Sequence, residues 1–453
     1  MDGKRIILLL DGTWNDQDVG PFDTNIVRLQ SLIGQALTSA QTARLSQTQN
    51  DGSEKLVRGY ASDGRENIVY YERGVGTSAF DRIRGGAFGD GLAHKVRRAY
   101  KFLSYHFVPG DNIFIFGFSR GAYTARSLVG YLGAAGLLKR EYCTETREPI
   151  AWNYYRTNPG DRLPGTWCDL APFTHDRAAF SVDCLGVFDT VGALGVPLDR
   201  FYLINRDRFS FHNVELSSIT KVNLHAMAID EHRKPFEATI WRKPKFKHFN
   251  TVTEQVWFPG AHADIGGGYI PEEQRLAEFP YALDDVPLDW MMRRVRHYFD
   301  SFPCELPEEP PGDKCYAAPH HEPRQKQYKL YPLALRSISN YRTDKLLRWQ
   351  AEVSRDRHAA PIAEMVHVAA IKRLGQMVQT EGGERRYLPQ NLLSVLPQIE
   401  ATYRIPEGTS PPSHDVLLVA RDGRPIDPGD PVERNVAAGI LDDARRGLTE
   451  SAS

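Results

Sequence analysis

One pentapeptide constrains this chain more than any other feature: Gly117-Phe118-Ser119-Arg120-Gly121 follows the apolar run Ile113-Phe114-Ile115-Phe116 and precedes Ala122-Tyr123-Thr124-Ala125-Arg126. The apolar run reads as a buried strand and the segment after it as a helix. A strand that reverses sharply into a helix crowds the positions two before and two after the serine, and glycine fits there because it has no side chain. Ser119 is then carried on a strained turn, exposed to solvent at the end of a strand.

The rest of the chain fits a parallel sheet around that turn. Lys4 to Leu10 reads as a short buried strand ended by Asp11-Gly12, and Ile26, Leu29, Leu32 and Ile33 give helical spacing over 24–37. Strands are predicted at 67–71 and 111–116, with a glycine-rich loop (Gly74 to Gly91) and a helix over 92–107 between them. Further apolar runs follow at 179–188, 222–229 and 256–259. Strands alternating with helices imply crossover connections. With the strand, Gly-x-Ser-x-Gly and helix in sequence, they predict the α/β class and, within it, an α/β-hydrolase: a mostly parallel central sheet with helices on both faces and Ser119 at its nucleophile elbow.

The predicted organisation is a catalytic core over 1–300, a helical extension packed on it over 301–400, and a partly flexible C-terminal appendage over 401–453. Two insertions are expected in the core. The polar stretch 38–66 lacks periodicity and reads as a surface excursion. The stretch 140–177, with Trp152, Tyr154, Tyr155 and Trp167, sits where such hydrolases often carry a lid, a packed surface loop being the alternative. Helices are expected at 287–299, 343–353 and 361–379, and a hairpin at 416–426 around Asp422-Gly423.

Composition narrows the function classes. The 56 basic and 57 acidic residues give a net charge of −1, so no global field favours nucleic acid, and any contact with a membrane surface must be local and transient. One local candidate is Trp241 to Phe249, where four basic residues alternate with aromatic ones; a solvated hairpin is its plainer reading. The cysteines Cys143, Cys168, Cys184, Cys304 and Cys315 are scattered and form no CxxC pair, which argues against a disulfide scaffold or a structural zinc site. The apolar run Ile6 to Leu10 is too short for a signal-peptide core or a membrane span, so the expected compartment is the cytoplasm, with export by a specialised machine still open. No cofactor and no metal are expected.

Serine chemistry needs a base for the hydroxyl proton, an acid to hold the base, and N–H donors for the oxyanion. His262 is the best-placed base, in the glycine-rich stretch Pro259-Gly260-Ala261-His262-Ala263-Asp264-Ile265-Gly266-Gly267-Gly268 just past an apolar run. His94 and His106 fall on a predicted helix and His225 within a strand. Two acids compete, Asp189 at the end of one strand and Asp230 at the end of the next, and the residues alone leave the choice open. Asp264 is too close to His262 for the usual order of residues in such hydrolases. The oxyanion donors are expected from the N–H of Arg120 and from Gly12 or Thr13 in the loop after the first strand. Asp11-Gly12-Thr13 also suggests a haloacid-dehalogenase phosphatase, but Leu9 stands where that chemistry needs its attacking carboxylate.

Several ordered blocks together resemble one family. They include Asp11-Gly12-Thr13-Trp14-Asn15-Asp16, Gly117 to Arg126, Phe188-Asp189-Thr190-Val191-Gly192, His225 to Glu231, Val256 to Tyr269, and Tyr387-Leu388-Pro389-Gln390-Asn391. The chain is similar to the α/β-hydrolase family whose studied members are type VI secretion phospholipase effectors. The resemblance implies a triad of Ser119, Asp189 and His262, and it is the resemblance that favours Asp189 over Asp230. It also implies hydrolysis of a phospholipid acyl ester, and as partners a secretion-machine adaptor or an immunity protein. Two alternatives differ from it: a non-catalytic hydrolase-like protein that binds a lipid or a partner chain, and a cytosolic esterase of small esters.

Overall fold

In the computed structural model, residues 3–12, 23–44, 54–74, 87–192, 216–241, 251–269, 281–323, 333–338, 362–405 and 416–449 are described. Their strands are β1 (Arg5–Leu10), β2 (Thr38–Arg44), β3 (Glu54–Tyr60), β4 (Glu66–Glu72), β5 (Asn112–Phe118), β6 (Val182–Phe188), β7 (Thr220–Ala228), β8 (Val252–Phe258), β9 (Glu364–His367), β10 (Met377–Thr380), β11 (Gly383–Arg386) and β12 (Leu417–Val419). The helices that matter below are α1 (Asn25–Gln35), α2 (Ala87–His106), α3 (Arg120–Ala135), α4 (Arg147–Arg156), α5 (His262–Gly266), α6 (Asp285–Tyr298), α7 (Val368–Arg373), α8 (Gln390–Tyr403) and α9 (Pro431–Thr449).

Ten strands form one sheet in the order β12-β9-β8-β7-β6-β5-β1-β4-β3-β2. Every pairing from β12 to β4 is parallel, and β2 and β3 add an antiparallel edge. β1 is buried at all six positions, as a central parallel strand covered on both faces must be. Its side chains divide between two cores. Ile6, Leu8 and Leu10 pack with Val96, Leu103, Ala125 and Leu128 of α2 and α3, while Ile7 and Leu9 pack with Ile26 and Leu29 of α1 and Met291 and Val295 of α6. Each fully buried side chain of this size contributes roughly 1.5–3 kcal/mol. A third core joins β9 and β12 to α7, α8 and α9 through Val366, Leu418, Ile371, Leu396 and Leu441. This is the α/β architecture with helices on both faces of a mostly parallel sheet.

The order of the strands positions the site. From β1 the chain runs to one side through β4, then returns to place β5 on the other side of β1 and continues outward to β8. The crevice at the carboxyl ends of β1 and β5 is therefore a topological switch point, where open α/β sheets bind their ligands. Gly12 leaves β1 there, and Ser119 leaves β5.

Three expectations from the sequence differ from the fold, and for the stretch 140–177 the sequence leaves two readings. The polar stretch 38–66 forms β2 and β3, which pair antiparallel at the sheet edge. β3, with Leu56 and Val57 adjacent and buried between exposed Lys55 and Arg58, has no clean alternation to read. The single helix expected over 361–379 is β9, α7 and the start of a β10-β11 hairpin, because a short run such as Met365-Val366-His367-Val368 suits a strand and a helix equally. The segments expected as an extension and an appendage each add a strand to the main sheet, β9 on β8 and β12 on β9. The stretch 140–177 forms a layer on the outside of α2 and α3. There Trp152 and Tyr155 of α4 pack on Tyr131, and Arg97 holds Glu148.

The turn at Asp422-Gly423 is present, closed by Ala420 N–H to Arg424 O at 2.8 Å, with Gly423 at φ 86°. The expected helix at 343–353, the basic and aromatic run beyond Trp241, most of the Gly74 to Gly91 loop, and Thr13 lie outside the described residues. Among the described residues no helix is long and apolar enough to cross a membrane.

Candidate active site

The elbow geometry follows from its glycines. A Cβ on Gly117 would lie 2.6 Å from Gly121 O, and one on Gly121 would lie 2.1 Å from Leu10 O, so the turn can press against both its own helix and the end of β1 only without side chains there. Ser119 pays for the turn with φ 56° and ψ −120°, a sparsely populated conformation that costs about 1–3 kcal/mol. Asp189 has φ 38°; among the described non-glycine residues Ser119, Asp189 and Ala363 alone have positive φ. Two of the three meet in this crevice. Ser119, expected to be exposed, is only 6% exposed, because Gly12, Phe118 and His262 close around it.

One line of hydrogen bonds joins three strand ends. Ser119 Oγ lies 2.8 Å from His262 Nε2, and His262 Nδ1 lies 2.6 Å from Asp189 Oδ2. With Asp189 ionised, Nδ1 carries the imidazole proton and Nε2 accepts from the Ser119 hydroxyl. His262 begins α5 and is held between two rings, Phe118 at 4.7 Å and Phe236 at 5.1 Å between centroids. Gly266 leaves the space for Phe118: a Cβ there would lie 1.9 Å from its ring. The N–H of His262 faces Glu231 Oε2 at 3.4 Å, and Glu231 in turn pairs with Arg233. Burial lowers the pKa of His262, although the hydrogen bond and charge of Asp189 act the other way.

Asp189 uses both of its oxygens fully. Oδ1 accepts from Ala228 N–H at 3.0 Å and from Arg336 Nη1 at 2.5 Å; Oδ2 accepts from His262 and from Arg336 Nη2 at 2.9 Å. Burial alone would raise its pKa, but the Arg336 guanidinium and His262 outweigh it and hold the carboxyl well below the usual carboxylate range. Arg336 was not singled out by the sequence. It is a lone arginine in an irregular stretch, and nothing in its neighbours marks it.

The other predicted residues fall at or near this crevice. Asp230 ends the strand beside that of Asp189 but turns away from His262: its Oδ2 accepts from Gly260 N–H at 2.7 Å and from the Tyr387 hydroxyl at 2.8 Å. Burial raises its pKa to about 7. Arg120 is the first residue of α3, at the positively polarised end of that helix. Gly12 lies beside Ser119, a Cβ on it falling 3.2 Å from Ser119 Cβ, and its N–H donates to Asp11 Oδ1 at 2.7 Å. Asp11 also accepts from Thr24 and Tyr71 hydroxyls and is buried, which raises its pKa to about 6; it ties the loop after β1 to α1 and β4. Asp264 accepts from Ala261 N–H and His321 Nδ1 within the glycine-rich loop. Among the described residues no group of histidine, cysteine and carboxylate side chains could hold a metal ion.

With serine, imidazole and carboxylate in one hydrogen-bonded line at an elbow, the comparison with known families is direct. Residues 4–294 match the family described as T6SS, phospholipase effector Tle1-like, catalytic domain. The chain belongs to that family. Ser119, Asp189, Asp230 and His262 all lie within the part matched to the Tle1-like catalytic domain, and Arg336 lies beyond it. A curated relative is the uncharacterized protein YEL023C of Saccharomyces cerevisiae, 30% identical over 245 residues that cover 52% of this chain and 32% of the yeast protein. Among solved structures, an uncharacterized protein from Pseudomonas aeruginosa is 17% identical with a TM-score of 0.38, covering 68% of this chain and 47% of that one. The Tle1 effector bound to the VgrG spike of the type 6 secretion system is 19% identical with a TM-score of 0.31, covering 60% of this chain and 52% of that one. This chain thus spans about a third of its yeast relative and about half of each solved chain.

Proposed function

We propose that this Tle1-like catalytic domain is a serine carboxylic ester hydrolase of the phospholipase A type, and that Ser119, His262 and Asp189 are its triad. The observation that carries the proposal is the unbroken line from Ser119 Oγ through His262 to Asp189, with contacts of 2.8 and 2.6 Å. In this reading His262 Nε2 takes the hydroxyl proton as Ser119 Oγ attacks the acyl carbonyl carbon, and the tetrahedral intermediate collapses when the imidazolium returns that proton to the leaving glycerol oxygen. Water then enters and attacks the acyl-serine carbonyl as His262 takes its proton; the imidazolium returns that proton to Ser119 Oγ as the Oγ–acyl bond breaks and the fatty acid leaves. Asp189 keeps the imidazole in the Nδ1–H tautomer and stabilises the imidazolium.

The oxyanion is assigned to the N–H of Arg120 and a second donor from the loop after β1. The second donor is Gly12 or Thr13, and the Gly12 N–H donates to Asp11 Oδ1 at 2.7 Å. Each donor is worth roughly 3–4 kcal/mol in the transition state. Delivery by a type VI secretion machine and transient contact with a lipid surface belong to the same proposal, on the strength of the family.

The test is release of free fatty acid from phosphatidylethanolamine and phosphatidylglycerol vesicles, with labelling of Ser119 by a fluorophosphonate. Wild type should release fatty acid and label, and Ser119→Ala should do neither. Comparable release by Ser119→Ala would overturn the serine mechanism. Labelling with turnover of short p-nitrophenyl esters but of no phospholipid would overturn the substrate class alone.

A further inference from the structure

The machinery in the matched domain is completed from outside it. Arg336 stands in 333–338, beyond the matched residues 4–294, and is 4% exposed. Its two terminal nitrogens grip both oxygens of Asp189, and each also donates to a carbonyl: Nη1 to Ala228 O at 2.9 Å and Nη2 to Phe236 O at 2.6 Å. One side chain therefore ties the end of β6, the end of β7 and the loop that carries the Phe236 ring against His262. We propose that Arg336 is a positioning residue for the reaction: it fixes the Asp189 carboxylate in the orientation that meets His262 Nδ1 and offsets its charge, so that the base works in a more acidic medium than an unpaired carboxylate would allow. This rests on the triad proposed above.

The two arms of the guanidinium meet the two oxygens of the fully buried Asp189 carboxylate at 2.5 and 2.9 Å, and a two-point contact of this kind fixes the rotation of the carboxylate. Lysine would keep the charge and lose the fork. The charge has its own effect. His262 faces Asp189 from β6, Glu231 and Arg233 from the loop after β7, and the neutral Ser119, Phe118 and Phe236. His225 lies below in β7 as a neutral ring, its Nε2 accepting Thr190 N–H, with Arg126 acting on it from α3. Removing the Arg336 cation leaves Asp189 uncompensated, and the imidazolium is then favoured.

Arg336→Met and Arg336→Lys in the full chain test this on 4-methylumbelliferyl butyrate. Arg336→Met should lower kcat about 100-fold with KM within about twofold, and move the acid limb of kcat/KM upward by about half a pH unit or more. Arg336→Lys should leave the limb in place while kcat falls about tenfold. A Met variant whose limb stays at the wild-type pH, or whose loss matches only its unfolded fraction by circular dichroism, overturns the proposal. If the Met variant does not fold, the Lys variant decides: wild-type kcat in it overturns the proposal, and a loss at unchanged KM supports it. Wild-type protein without Ser119-dependent turnover or fluorophosphonate labelling would instead bring down the triad itself, so the two failures are distinct.

Discussion

Asp189 and Asp230 end neighbouring parallel strands, are both fully buried, and have opposite acidities. Asp189 meets a guanidinium and an imidazole; Asp230 meets a backbone N–H and a phenol, with Arg373 acting on it only from beyond bonding distance. Burial raises a carboxyl strongly, and at Asp230 the Gly260 N–H, the Tyr387 hydroxyl and the more distant Arg373 offset only part of it, leaving the group at about 7. At Asp189 the same burial is overcome by a charged fork. Strand-end position therefore does not make an aspartate a charge carrier; the partner across the crevice does. Asp230 instead closes the loop that carries His262, through Gly260.

The comparison breaks most visibly on activity. Asp189→Asn should lower kcat on a soluble ester about 10⁴-fold with folding intact, whereas Asp230→Asn should cost less than about tenfold. Equal losses would erase the distinction between the two. The next largest effect is expected where the loop held by Asp230 carries His262 against Phe118. Gly266→Ala would drive a Cβ into Phe118, so Phe118 and His262 must move; a kcat loss of about 100-fold and a destabilisation of about 1–3 kcal/mol in urea unfolding are expected. Wild-type turnover in that variant would mean that His262 is not held by this ring.

Smaller effects lie in the pH dependence. Asp230 has a folded value of about 7 against an ordinary 3.8. Between those values the folded chain keeps a proton that the unfolded chain has released, so stability falls as pH rises through that window. Asp230→Asn should remove part of the fall, the remainder coming from Asp11 and Glu72, which burial also raises. Thermal midpoints of both proteins from pH 5 to 8 check this, and parallel curves would contradict it. Smallest is the acid limb of kcat/KM in wild type. As the proposed base His262 must be neutral, and burial lowers its pKa, so the limb should fall below the ordinary histidine value of about 6.5. A limb above 6.5 would mean that the charge of Asp189 outweighs burial.

These contrasts mark what a linear reading reaches. The elbow was legible because its constraint is local: two glycines, a strand before and a helix after. The proximity of His262 to Ser119 was legible because a glycine-rich loop follows an apolar strand and few other histidines sit at a strand end. The choice between the two aspartates was not legible in the residues, since both follow apolar runs and differ in partners far along the chain. Arg336 lies 147 positions from Asp189, and no periodicity links them. β3, β9 and β12 were missed for a related reason. β3 shows little alternation, and β9 and β12 are four and three residues long, too short for any period to emerge.

The late strands carry a consequence for biosynthesis. β8 is formed of residues through Phe258, but its outer neighbour β9 begins at Glu364 and that strand's own neighbour at Leu417. While the chain emerges from the ribosome, β8 presents a bare row of N–H and C=O groups, a template for pairing with another chain, until the C-terminal third arrives. Arg336 is itself made within that interval, after β8 and before β9. The nascent protein is thus at its most adhesive while its serine still lacks the last residue that bonds Asp189.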